Sequence, residues 1–133
     1  MNLVDKLMQI DKEEAAKKET KEIKCKRLSK LIGEDVTITI QSLSGHKIND
    51  IMGMAVDKSG NKIFSKAYDV NLMYCVEGIT CPSLKDNALM EHFGASTPKD
   101  LATILLGVEA NAIADEILGI SGFDDDTEDE VKN

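Results

Sequence analysis

Residues 82–100, "PSLKDNALMEHFGASTPKD", carry the same local signal twice. Ser83-Leu84-Lys85-Asp86 and Thr97-Pro98-Lys99-Asp100 are both hydroxyl-x-x-acid tetrads leading into apolar residues. In such a tetrad the hydroxyl oxygen accepts from the backbone N–H three residues on, and the acid reaches back toward the cap's own N–H. Ser83, Asp86, Thr97 and Asp100 therefore read as helix-capping residues. Pro98 falls at the first helical position, where a missing N–H leaves no bond unmade. The pattern predicts two short helices, 84–93 and 98–106, with Gly94 closing the first. The first would bury Leu84, Ala88, Leu89 and Phe93, the second Leu101, Ile104 and Leu105.

Toward the C-terminus, Gly107 interrupts. "VEANAIADEILGI" then sets Val108, Ala112, Ile113, Ile117 and Leu118 on one helical face, ended by Gly119 or Gly122. Residues 124–133, "DDDTEDEVKN", carry six acidic and one basic side chain and nothing to bury, which predicts a disordered acidic tail. The expected organisation is one α+β domain over 1–123 followed by that tail.

Toward the N-terminus, "DVNLMYCVEGI" (69–79) suits either a helix or a buried strand; a helix is favoured, with Asp69 as N-cap and Gly78 as stop. Ile48, Ile51, Met52 and Ala55 follow helical spacing behind Ser44, a candidate cap. "DVTITIQ" alternates cleanly, with Val36, Ile38 and Ile40 on one face. "KEIKCKRL" alternates more weakly through Ile23 and Cys25. With the Gly33-Glu34-Asp35 turn between them, the two runs predict a small antiparallel β-pair. Residues 3 to about 20 read as an N-terminal helix whose apolar members are Leu3, Leu7, Met8 and Ala15. The expected fold is therefore α+β: an N-terminal helix, an antiparallel β-pair, then a mainly helical C-terminal half.

Composition narrows the function classes. A chain of 133 residues without Trp must build its core from Leu, Ile, Val and Met. It contains no apolar run of about 18 residues, so no membrane span is expected. The acidic residues in "MNLVDKLMQIDKEE" do not suit a signal peptide, which points to a cytoplasmic protein. Cys25, Cys75 and Cys81 form no CxxC pair, and His46 and His92 stand alone, so neither a disulfide framework nor a zinc site is indicated. The acidic tail lacks the glycine turn and closing bidentate Glu of a calcium loop. Neither a phosphate loop nor a nucleophile with an ordered base is visible. The chain reads as a non-enzyme without metal or cofactor.

A glycine-containing turn before a capped second helix also suits a helix-turn-helix DNA reader. Charge argues against it. Residues 82–122 hold two basic side chains, Lys85 and Lys99, against six acidic ones, and the whole chain is at −8. Such a surface repels phosphates, so no nucleic-acid partner is expected.

The ordered set of features over 74–123 resembles the XkdN-like family of phage tail assembly chaperones. It comprises an apolar run, Pro82 with Leu84-Lys85-Asp86, a short helix and the Ser96-Thr97-Pro98 turn. Leu105-Leu106, a Gly-x-Glu corner at Gly107 and Glu109, and a last helix ending Ser121-Gly122-Phe123 complete it. The proline that the family carries at this corner is absent here. The resemblance implies a non-catalytic role in building a phage or prophage tail. The partners it implies are the tape measure protein and the tail tube protein, and related systems also make a longer, frameshifted form. The alternatives to a chaperone that leaves are a small helix-turn-helix-like DNA-binding regulator and a structural tail or head–tail joining protein retained in the virion. Met52, Met54, Met73 and Met90, with Leu105 and Leu106, are candidate partner-binding residues; the methionines equally suit gap-filling in a core poor in aromatics. Residues 1–30 are at +3 and the last ten at −5, which allows contacts between copies and a homo-oligomer, or simply a solubilising tail.

Overall fold

A computed structural model describes residues 2–123. The architecture is α+β. Three antiparallel strands, β1 (Thr20–Lys24), β2 (Thr37–Gln41) and β3 (Ile79–Cys81), lie in the order β1-β2-β3. β1 pairs with β2 through Ile23↔Ile38 and Thr20↔Gln41, and β2 pairs with β3 through Ile40↔Ile79. Ile38 and Ile40 alternate inward and are fully buried, as the period of "TITIQ" requires. The third strand was not foreseen, because three residues at the end of an apolar run leave no alternation to read.

The predicted N-terminal helix is replaced by two shorter ones, α1 (Leu3–Leu7) and α2 (Lys12–Ala15), neither of which buries a residue. Asn2 caps α1 by accepting from the Asp5 N–H at 2.9 Å. The link between β1 and β2 is also corrected. "KRLSKLI" forms α3 (Lys26–Ile32), and Gly33, at φ +91°, ends that helix rather than turning a hairpin. The ladder continues past β1 through Cys25 N–H to the Val36 carbonyl at 3.0 Å. Ser29 Oγ donates to the Cys25 carbonyl at 2.7 Å and accepts from the Val36 N–H at 2.8 Å, which ties α3 across the strand pair.

α4 (Gly45–Met52) starts on Ser44, whose hydroxyl accepts from the Lys47 N–H at 3.1 Å, and buries Ile48 and Ile51. Residues 69–79 resolve as helix: α5 (Ala67–Gly78) is the central element, and its N-cap is Lys66 rather than Asp69. Val70, Leu72, Tyr74, Cys75 and Val76 are buried around most of its circumference. A helix buried on all sides loses its amphipathic stripe, which is why strand and helix looked alike in the sequence. α5 packs on α7 (Pro98–Leu106) and α8 (Ala110–Ile120). α8 buries Ala110, Ile113, Ala114 and Ile117, an i, i+3, i+4, i+7 stripe. Val108 precedes α8 in a single turn of 3₁₀ helix, Gly107–Glu109, and is exposed instead of joining that face.

The doubled tetrad divides. Thr97 is the N-cap of α7, and its hydroxyl accepts from the Asp100 N–H at 3.1 Å. The return bond from Thr97 N–H to the Asp100 carboxylate is not formed among the described residues. Ser83 is not a helix cap. Residues 82–85 form a turn that drops Leu84 into the core as the chain leaves β3, and Ser83 Oγ accepts from the Lys85 N–H at 3.3 Å. Asp86 is the N-cap of α6 (Asn87–Phe93), accepting from the Leu89 N–H at 2.8 Å. Starting α6 at residue 87 turns Ala88 and Phe93 outward and leaves Leu89 half-buried. Ile104 likewise faces solvent, while Leu101, Ala102, Leu105 and Leu106 form the inner face of α7. The expected disordered tail, 124–133, lies outside the described residues.

Candidate functional site

Two features stand out beyond the core: a corner that fixes α3 to the helical layer, and an apolar groove on α4–α5. The corner is Gly107-Val108-Glu109. The Glu109 carboxylate accepts from the backbone N–H groups of Lys26 and Arg27, each at 2.9 Å, and from the Cys25 thiol at 3.3 Å. Cys25, the N-cap residue of α3, supplies no side-chain cap of its own, so a glutamate far along the chain satisfies the free N–H groups at this helix start. Partial burial works to raise the Glu109 pKa. The hydrogen bonds from Arg27, Lys26 and Cys25 outweigh it and hold the carboxyl below its ordinary value.

Around this carboxylate, Arg27 Nη2 donates to the Ile104 carbonyl at 3.1 Å, and Tyr68 Oη donates to the Gly107 carbonyl at 2.6 Å. Gly107 sits at φ +55°, ψ −138°, a backbone conformation that side chains disfavour. The Cys75 thiol donates to the Ala110 carbonyl at 3.4 Å, and burial, with the Cys25 thiol adding, pushes its pKa up to about 12. Burial likewise raises Cys25. These are inert, packed thiols, whereas Cys81 is exposed. Among the described residues no cluster of three potential metal ligands occurs. The chemistry of this corner is positional.

The groove has a volume of about 330 Å³. Its apolar lining includes Met52, Val56, Ile63, Phe64, Tyr74, Leu118 and Phe123. Val56, Ile63 and Phe64 come from the segment after α4, where an isolated bridge pairs Val56 with Lys62 and the Ile63 N–H returns to the Ala55 carbonyl. Asp57 Oδ1 closes that loop by accepting from the Ser59 and Asn61 N–H groups, both at 2.9 Å. The closed loop presents Phe64 83% exposed, with Val56 and Met54 beside it about 40% and 39% exposed. Lys62 lines the groove, and Lys58 and Lys66 flank it in sequence.

Of the six candidate partner-binding residues, Met52 lines the groove and Met54 is exposed next to it in sequence. Met73 and Met90 are half-buried against the core. Leu105 and Leu106 are buried in α7 and offer no surface to a partner. Phe64, Val56, Ile63 and Phe123 were missed. The signal was faint, since "NKIFSK" is a short apolar pair inside a polar loop and matches neither period. The α6–α7 pair, the would-be DNA-reading corner, uses its second helix as a core element against α5, and Lys99 near its start pairs with Asp69 at 3.7 Å.

Comparison with known proteins matches residues 4–133 to the family model for the phage XkdN-like tail assembly chaperone protein. The fold is similar to the crystal structure of the protein YqbN, a structural genomics target. That likeness has a TM-score of 0.56 at 18% identity and covers 80% of this chain and 88% of that one. No match was found among curated proteins. With a family model spanning nearly its whole length, this chain belongs to the XkdN-like family of phage tail assembly chaperones.

Proposed function

We propose that the protein binds the tape measure protein of its phage or prophage in the host cytoplasm and assists assembly of the tail tube, without catalysis. The supporting observation is the family membership over residues 4–133. The groove adds a physical route: exposed Phe64, Val56 and Met52 in its apolar lining suit the apolar face of a helical client. Met52 and Met54 contribute adaptable side chains, which favours reversible contact with a repetitive client over one fixed fit. Anchor residues of this kind carry most of the energy of an interface. Co-expression with the tape measure protein of the same phage or prophage tests the reading. A soluble complex is expected, whereas an insoluble client with no complex would sink it.

A further inference from the structure

Residues 2–15 form an arm with no interior. α1 and α2 bury no residue, yet Leu3, Val4, Leu7 and Met8 are 55–82% exposed on successive turns of one short segment. Helices this short are marginal in water without a packing partner, even with a good cap such as Asn2. Among the described residues nothing covers the apolar groove of the same chain, and the two surfaces are complementary in charge. The arm holds Asp5, Asp11, Glu13 and Glu14 against Lys6 and Lys12, a net −2. The segment 56–66 holds Lys58, Lys62 and Lys66 against Asp57, a net +2, and Asp57 is engaged by its own loop.

We infer that the arm of one copy docks in the Met52–Phe64 groove of a second copy. Leu3 and Leu7, and Val4 and Met8, are i, i+4 pairs, and the α1 segment presents them as anchors to the apolar groove lining, which includes Ile63, Tyr74 and Leu118. The acids of α2 then meet Lys62 and Lys66. Docking covers the same groove that the client reading assigns to the client. The inference rests on the groove being a docking surface, as that reading does, but not on any client.

The test uses the full chain alone, without client. Sedimentation equilibrium should show concentration-dependent self-association, weakened roughly tenfold or more by Leu7→Asp or by Phe64→Asp. Both side chains are mostly exposed, so unchanged thermal melts are expected and separate lost docking from lost folding. Lys62→Glu with Lys66→Glu should weaken association, and Glu13→Lys with Glu14→Lys on the same chain should restore it. In a Cys81→Ser background, Leu7→Cys chains mixed with Phe64→Cys chains should cross-link between copies through a short bis-maleimide. A monomer at every concentration, association indifferent to Leu7→Asp, or cross-linking only within a chain carrying both cysteines would overturn the inference. Any of these could occur while the client still binds, so the two readings fail separately.

Discussion

Glu109 caps α3 across a separation of 82 residues, its Oε1 accepting from the Arg27 N–H at 2.9 Å. Its second oxygen takes the Lys26 N–H, so one carboxylate serves two free donors of a helix that has no local cap. Charge-assisted bonds of this kind contribute more than neutral ones. Glu109→Ala should lower stability by about 1–3 kcal/mol, and Glu109→Gln, which keeps one acceptor oxygen, by less. Urea midpoints at neutral pH measure both.

The same contact sets a pH dependence. The Glu109 carboxyl is held below its ordinary 4.5 in the folded protein. Its contribution is therefore complete above the unfolded pKa and is lost as pH falls through the lower folded value. The stability gap between wild type and Glu109→Gln should be full at neutral pH and close as the solution is acidified below about 4.5. An equal gap at both ends of a pH series of urea melts would show that the ionised carboxylate is not what matters.

Gly78, the last residue of α5, lies against α8 where no side chain fits. A Cβ built there would sit 2.5 Å from Ile117 Cδ1, and Ile117 is fully buried. Gly78→Ala should cost roughly 1–3 kcal/mol through overpacking. Adding Ile117→Val, which removes that δ-methyl, should bring a combined loss smaller than the sum of the two single losses. Thermal denaturation of the four-member cycle gives the answer.

The two tetrads, alike in sequence, should behave differently. Thr97→Ala and Asp86→Ala each remove a true N-cap and should lower stability by about 1 kcal/mol. Ser83→Ala removes only a 3.3 Å bond to the Lys85 N–H in an exposed turn and should change it by less than about 0.5 kcal/mol. Equal losses at Ser83 and Thr97 would contradict this division.

What could be read from the sequence follows the range of the forces involved. Thr97 with Pro98, Ser44 before α4, and the alternation of Ile38 and Ile40 are local signals, and each appears in the structure where it was read. α3 was misread because its cap is Glu109, which only the three-dimensional fold brings to Lys26 and Arg27. Ser83 lost its role to Asp86 because Leu84 is drawn into the core, a tertiary demand that no tetrad encodes. The groove was half visible: Met52 was named for its side-chain chemistry, whereas Phe64 and Phe123 gain their meaning only where α4, α5 and α8 converge. Leu105 and Leu106, singled out as apolar, were taken by the core.

The central claim, that this apolar groove is the client surface of a tail assembly chaperone, is tested most directly by co-purification. Wild type and Phe64→Asp are each co-expressed with the tape measure protein, and the fraction of client recovered in soluble complex is measured. Phe64 is 83% exposed, so the variant should fold and melt like wild type. The account predicts a soluble complex for wild type and at least a roughly tenfold loss of client for Phe64→Asp. Full recovery of client by a folded Phe64→Asp protein would contradict it.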